Sequence, residues 1–204
     1  MIVRTLLRAK EAGCFDRVIC ATDSQQIASV VERAGFDAVI TGSHPTGSDR
    51  VAEVSALLNL DLVVNLQGDE PVASLELLRQ VAKSISRDAS SWVTAMSPLA
   101  PSEFSNLNVV KVHIVDGIAT DFLRTNPQGE GWHSHRGIYA YSAESLEEFA
   151  ALPQSVLERE RSIEPLRILG RRPIRVITSL DSSISVDVPA DIERVTAFLL
   201  RSHP

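Results

Sequence analysis

An acidic segment at the end of a predicted strand could bind a divalent cation. The sequence QGDEP (67–71) follows the apolar run DLVVNL (61–66), and in open α/β sheets ligands bind beyond the carboxyl ends of the strands. Carboxylate oxygens suit Mg²⁺, so Asp69 is a candidate metal ligand. A magnesium site would need a second carboxylate, and Asp187 offers one just before a predicted final helix. A plain polar turn at Asp69 and a helix cap at Asp187 are the alternatives.

A polar loop, an arginine and a histidine motif could contact other parts of a substrate. The loop HPTGSDR (44–50) leads into a predicted helix, and backbone N–H groups at a helix start favour anions and polar ligands. Arg124 ends a predicted strand and could bind a carboxylate through two parallel hydrogen bonds. The motif HRGIY (135–139) adds an imidazole and a phenol. A capped loop, a surface salt bridge and purely structural side chains are the respective alternatives.

Alternating helix and strand patterns must position these residues. Apolar residues recur at helical spacing in some segments and form short runs in others, which predicts an α/β fold with a mainly parallel sheet. The run 61–66 is apolar on both faces and predicts a central parallel strand. Predicted helices cover 2–12, 25–34, 48–58, 75–86, 142–152, 156–169 and 189–200, and predicted strands cover 17–21, 38–41, 61–66, 92–98, 109–115, 118–124, 135–141 and 174–177.

Two local features add detail to this fold. The Asp-Gly pair at 116–117 is a strong turn signal and predicts a β-hairpin, which we expect to be an insertion packed on one sheet edge. Glu158, Glu164 and Arg167 share the predicted helix 156–169, where a solvated charged face is the simplest interpretation.

Composition and charge limit the possible classes of protein. The chain has 204 residues and a net charge of -6, which argues against a non-specific nucleic-acid binder but allows a nucleotide substrate. No apolar run approaches the roughly 20 residues that span a bilayer, and the start is too polar for a secretory signal. Cys14 and Cys20 form neither a disulfide framework nor a four-ligand zinc site. We therefore expect a cytoplasmic protein with one domain over 1–204.

In their order along the chain, these segments resemble the 3-deoxy-manno-octulosonate (KDO) cytidylyltransferases. The resemblance rests on RVICATDS, HPTGSDRVAEV, VVNLQGDEP, NVVKV, FLR, HRGIYAY and SVDVPADIERV and covers nearly the whole chain. It implies a nucleotide-diphospho-sugar-transferase-like three-layer α/β sandwich, and an enzyme that uses Mg²⁺ and forms a homodimer. The implied reaction transfers CMP from CTP to the anomeric hydroxyl of KDO, which releases pyrophosphate and yields CMP-KDO for lipopolysaccharide synthesis.

The resemblance also implies roles for individual residues. Asp69 and Asp187 match the magnesium-binding aspartates of the family, and Gln67 matches a residue beside the nucleotide and the sugar. Family residues that contact the cytosine and ribose correspond to Thr46, Gly47, Ser48 and Arg50. Family positions around the sugar acid correspond to Arg124, His135, Tyr139 and Glu164.

Departures from the family pattern leave other outcomes open. The sequence begins at the helix that follows the family's triphosphate-binding loop, of the type IPARxxSxRxPGKPL, so we expect a protein of these 204 residues to be poorly stable and inactive. An inactive fragment or a non-catalytic dimerising remnant is therefore one alternative. Pro165 replaces a glutamine and Leu123 replaces a serine near the sugar end, so a cytidylyltransferase for a related sugar acid is another. VDVPAD replaces VDTPED, which keeps Asp187.

Overall fold

The computed structural model describes residues 1–179, 185–186 and 188–202. In this part of the chain the helices are α1 (Ile2–Ala12), α2 (Gln25–Arg33), α3 (Gly47–Leu58), α4 (Leu75–Arg87), α5 (Ala143–Ala151), α6 (Val156–Arg161) and α7 (Pro189–Ser202). The strands are β1 (Ile19–Thr22), β2 (Asp37–Ile40), β3 (Leu62–Leu66), β4 (Trp92–Ser97), β5 (Lys111–Val115), β6 (Ile118–Leu123), β7 (Trp132–Ser142) and β8 (Ile174–Thr178). Short 3₁₀ turns lie at Pro101–Glu103 and Glu164–Arg167.

Among the described residues the strands form two sheets. Strands β1 and β2 pair in parallel, and a six-stranded sheet has the order β3-β7-β4-β8-β6-β5, with β5 also pairing with β7. Both β3 and β4 are antiparallel to β7, while β4 is parallel to β8. Thus β3, β4 and β8 share one direction and β7 runs against them. The α/β class is confirmed. The parallel pairs among the described residues are β1 with β2 and β4 with β8.

The prediction that residues 61–66 form a central parallel strand is wrong. Strand β3 is at one end of the six-stranded order in the described part of the chain, and its neighbour β7 is antiparallel. The apolar character of β3 has another cause, because both α3 and α4 contact this strand and residues 63–66 are half-buried. A helix-covered end strand needs apolar residues on both faces just as a central strand does.

Two clusters of buried side chains pack on the large sheet, and a third, formed by Leu6, Cys20 and Val31, joins α1, β1 and α2. The first is built around Trp92, whose ring centroid is 4.6 Å from that of Tyr141 and 5.1 Å from that of Phe149. The second is the buried face of α4, where Leu78 and Val81 are fully buried against the sheet. Burial of each such side chain stabilises the fold by about 1.5–3 kcal/mol.

The predicted hairpin is present, and the predicted helix 156–169 is interrupted. Residues 116–117 both have positive φ and connect β5 to β6, as a two-residue hairpin turn requires. Helix α6 ends at Arg161, and the next residue, Ser162, has a left-handed conformation with φ 54°. A 3₁₀ turn follows, in which Pro165 cannot donate the backbone hydrogen bond of a continuing helix. None of the described helices is long and apolar enough to cross a membrane.

Candidate active site

A cavity of about 860 Å³ opens at the edge of the large sheet where β3 ends. Because β7 is antiparallel to β3, with Ile138 opposite Leu66, the first half of β7 extends past the end of β3 and forms part of this edge. The cavity brings together most of the residues predicted from the sequence. Its lining includes Thr46, Gly47, Gln67, Asp69, Arg124, His135, Tyr139 and Glu164.

The two predicted acidic segments meet at this cavity. The backbone N–H of Val186 donates a hydrogen bond of 2.9 Å to the carbonyl oxygen of Asp69. The cavity lining here includes Asp69, Glu70 and Ser185. The side chains of these residues offer only oxygen atoms as metal ligands, and oxygen ligands suit Mg²⁺. Asp187, the second predicted ligand, lies outside the described residues. Within the described residues, no three His, Cys, Asp or Glu side chains cluster as a complete metal site.

Close approach between Gln67 and β7 explains one glycine of the HRGIY motif. The backbone N–H of Gln67 bonds to the carbonyl oxygen of Gly137 at 3.2 Å. A Cβ atom on Gly137 would lie 2.5 Å from Oε1 of Gln67. A side chain at this position would displace the Gln67 side chain from its present place, and both residues line the cavity.

Glu164 holds the first turn of α3 at the cavity. Its Oε2 accepts the backbone N–H of Ser48 at 3.1 Å, and its Oε1 accepts the Ser48 hydroxyl at 3.1 Å. The Ser48 hydroxyl also lies 3.1 Å from the Tyr141 hydroxyl. Burial raises the pKa of the Glu164 carboxyl, against the hydrogen bonds from Ser48 and Thr46. Glu164 therefore fixes the loop that presents Thr46 and Gly47.

The other two predicted residues of this loop have different surroundings. Ser48 is fully buried beneath the cavity wall. The guanidinium of Arg50 donates to the Thr41 hydroxyl at 2.8 Å and to the Asp23 carboxylate at 3.1 Å, and Arg50 does not line the cavity. Both residues support the loop through these contacts, and their predicted roles toward the nucleotide stay predictions.

His135 and Tyr139 form an uncharged part of the wall. Their ring centroids are 5.4 Å apart, and the His135 ring meets Phe122 edge-on at 5.5 Å. Burial, together with the nearby charges of Arg136 and Arg124, lowers the pKa of His135 to about 3. Burial also raises the pKa of Tyr139 well above its ordinary value. At neutral pH both side chains can therefore donate or accept hydrogen bonds without carrying charge.

Arg124 lies in the cavity wall and is bonded to backbone carbonyls. Nη1 donates to Leu107 at 3.2 Å and to Asn108 at 3.1 Å, and Nη2 donates to Ser162 at 3.3 Å. These bonds join the end of β6 to the segment before β5 and to the end of α6. A role of Arg124 toward a sugar carboxylate stays a prediction.

Two residues of this region, Arg136 and Thr94, were not identified from the sequence, and a third, Arg167, has surroundings other than those predicted. Arg136 lines the cavity, and its Nη2 donates to the Ser97 hydroxyl at 2.5 Å; its place inside the HRGIY motif was the available signal. Thr94, which bonds His135, belongs to an apolar strand and offered none. Arg167 is buried. Its Nη1 lies 2.6 Å from Oδ1 of Asp49, and its Nη2 lies 2.6 Å from Oε1 of Glu158. The expectation of a solvated charged face is therefore wrong for Glu158 and Arg167.

Comparisons with known proteins identify the family of this chain. The family model described as cytidylyltransferase matches residues 1–172. A 3-deoxy-manno-octulosonate cytidylyltransferase of Syntrophotalea carbinolica is 38% identical over 220 residues, covering 98% of this chain and 88% of the relative. One from an Anaeromyxobacter species is 39% identical, covering 98% of this chain and 86% of the relative.

Solved structures show the same likeness. The chain matches a CMP:2-keto-3-deoxy-manno-octonic acid synthetase complexed with CTP, with a TM-score of 0.89 and 28% identity over 98% of this chain and 88% of that chain. A glucose-1-phosphate thymidylyltransferase of Bacillus anthracis shares the fold, with a TM-score of 0.69, 11% identity, and coverage of 97% of this chain and 81% of that chain. The chain therefore belongs to the cytidylyltransferase family, within its 3-deoxy-manno-octulosonate cytidylyltransferases.

Proposed function

We propose that this protein transfers CMP from CTP to the anomeric hydroxyl of KDO, releasing pyrophosphate and CMP-KDO, the activated sugar for lipopolysaccharide synthesis. One observation carries the proposal. A single cavity is lined by Gln67, Asp69, His135, Tyr139 and Glu164, in a chain whose curated relatives at 36–39% identity are named 3-deoxy-manno-octulosonate cytidylyltransferase.

The reaction is an in-line displacement at the α-phosphorus of CTP. The anomeric oxygen forms a bond to phosphorus and loses its proton, while the bond between the α-phosphorus and the bridging oxygen breaks and pyrophosphate leaves with that electron pair. Such a displacement needs little covalent chemistry from the protein, so positioning and charge neutralisation dominate. When bound, Mg²⁺ supplies neutralisation of the phosphate charge. Asp69 and Asp187 would hold it.

The described residues support distinct parts of this assignment. Thr46 and Gly47, held in place by Glu164, would contact the nucleotide at the start of α3, where backbone N–H groups favour polar and anionic atoms. The neutral side chains of His135 and Tyr139 suit the hydroxyl groups of a sugar, because each can take part in hydrogen bonds without a change in charge.

Cytoplasmic location and a homodimer belong to this proposal as predictions. CTP is a cytoplasmic nucleotide, which supports the first. The family resemblance supports the second.

An assay with three sugar acids tests the proposal. The full chain is incubated with CTP, Mg²⁺ and either KDO, its amino analogue or sialic acid, and pyrophosphate release is measured together with the mass of the CMP-sugar. We expect CMP-KDO as the main product. A preference for another sugar acid would replace KDO in the proposal, and a folded protein that releases no pyrophosphate with any of the three would support the non-catalytic remnant.

A further inference from the structure

Thr94 on β4 holds two polar groups of β7 with one hydroxyl. The side chain is fully buried, and Oγ1 lies 2.8 Å from the carbonyl oxygen of Ile138 and 2.8 Å from Nε2 of His135. A carbonyl oxygen can only accept, so the single hydroxyl proton of Thr94 goes to Ile138. The bond to His135 must then be donated by Nε2–H, with Oγ1 as its acceptor.

A β-bulge makes this double contact possible. Thr94 is opposite Tyr139, but its neighbour Ala95 is opposite Arg136, so no residue of β4 lies opposite residues 137–138. At this irregularity the Ile138 carbonyl and the His135 ring both reach the Thr94 hydroxyl. Bulges of this kind commonly redirect side chains beside active sites.

The proton on Nε2 determines what the other ring nitrogen can do. His135 is half-buried. Its ring packs against Phe122 and Tyr139, and the guanidinium groups of Arg124 and Arg136 oppose a positive charge on it. A neutral ring with a proton on Nε2 has a lone pair on Nδ1. Nδ1 makes no hydrogen bond within the described part of the chain, and His135 lines the cavity.

We propose that Thr94 is a positioning residue that fixes His135 in the Nε2–H tautomer, so that Nδ1 accepts a hydrogen bond from a hydroxyl of the sugar acid. This inference rests on the proposed function for the identity of the sugar. It assigns His135 the role of a hydrogen-bond acceptor, and not that of a base that removes the proton of the attacking hydroxyl. The opposite tautomer would present an N–H to the same hydroxyl and would require the sugar to accept instead.

Nitrogen NMR of the protein with ¹⁵N-labelled histidine tests the tautomer directly. The His135 resonances are assigned by their loss in His135→Asn. We expect the wild-type spectrum to show a protonated Nε2 and an unprotonated Nδ1, Thr94→Ser to keep this pattern, and Thr94→Val to lose it. A wild-type spectrum with the proton on Nδ1 would overturn the proposal without any variant of Thr94, even if Thr94→Val failed to fold.

Kinetics test the consequence for the sugar. We expect Thr94→Val to raise the KM for the sugar acid roughly tenfold, as the loss of one hydrogen bond predicts, with the KM for CTP unchanged, and Thr94→Ser to restore the wild-type value. Thr120→Val is the matched control, because the Thr120 hydroxyl bonds Nδ1 of His113 at 2.6 Å on the exposed hairpin. It should change neither the His135 signal nor the KM for the sugar.

The two assays separate this inference from the proposed function. Loss of activity with every sugar acid would count against the proposed function alone, since the NMR pattern does not depend on substrate. An unchanged tautomer and an unchanged KM for the sugar in folded Thr94→Val would refute the positioning role, even in a fully active enzyme.

Discussion

The backbone N–H of Val186 donates a hydrogen bond of 2.9 Å to the carbonyl oxygen of Asp69. This bond joins the segment after β3 to the segment before α7, which are far apart in the sequence. It is a backbone contact, so it survives substitution of either side chain. The acidic residue Asp187 follows Val186 directly in the sequence and lies outside the described residues. A substitution that removes the Asp69 carboxylate therefore leaves the backbone groups of this bond in place, and its effect can be assigned to the carboxylate.

Asp69→Asn should abolish most of the activity and weaken its dependence on Mg²⁺. The amide keeps the shape of the side chain but removes the negative charge that would hold the cation, and loss of one such electrostatic contact costs about 100-fold in rate. The measurement is the rate of pyrophosphate release over a range of Mg²⁺ concentrations. Asp61→Asn, with the same change of charge just before the other end of β3, should behave as wild type. Wild-type rate and Mg²⁺ dependence in Asp69→Asn would argue against this metal site.

Glu164→Gln should raise the KM for CTP about tenfold. Ser48 donates one hydrogen bond to each carboxylate oxygen, and glutamine replaces one of these oxygens with an NH₂ group that cannot accept. A hydrogen bond to a charged group is also about twice as strong as a neutral one. The loop with Thr46 and Gly47 should therefore be held less firmly. Steady-state kinetics with both substrates check this, with the exposed Glu160→Gln as control. A rise confined to the KM for the sugar would instead indicate the direct sugar contact that the resemblance implies.

Much of this site could be predicted from local patterns. The QGDEP segment was placed at a strand end from its apolar run and its turn residues, and the hairpin was predicted from residues 116–117 alone. These features depend on neighbours in the sequence, where period and turn chemistry are visible. For the same reason local patterns predict that the segment containing Asp69 lies at the end of a strand, where it lines the cavity.

The remaining features depend on contacts between distant segments. The insertion of β7 between β3 and β4 is an antiparallel pairing that no local period encodes, and it is what made the prediction of a central parallel strand wrong. The sequence does not reveal the buried ion pairs of Arg167. A charged residue on a helix has the same sequence pattern whether it is exposed to solvent or paired with opposite charges in the interior. The role of Thr94 depends on a bulge in its partner strand, which sequence spacing does not reveal.

Arg167→Met should destabilise the protein by about 3–5 kcal/mol. The Arg167 guanidinium bonds Asp49 at 2.6 Å and Glu158 at 2.6 Å, and it packs 3.9 Å from the Phe149 ring. Methionine would fill much of the same volume but leave two buried carboxylates without their cation. Urea unfolding measures the loss, and exposed Arg171→Met should change stability by less than about 0.5 kcal/mol. Equal stability of the two variants would mean that the buried ion pairs add nothing.

The stability of the fold should also depend on the protonation of His135. Its pKa is about 3 in the folded protein against about 6.5 when unfolded, so between these values the unfolded state binds a proton that the folded state does not. Stability from this residue is therefore complete above pH 6.5 and is lost as pH falls, by about 2 kcal/mol at pH 5. Urea unfolding of wild type and His135→Asn at pH 7.5 and pH 5 isolates the effect, because the variant lacks the titrating ring. The free energy of unfolding of wild type minus that of the variant should be about 2 kcal/mol lower at pH 5 than at pH 7.5. A difference that does not change with pH would mean that the folded protein accommodates a charged His135.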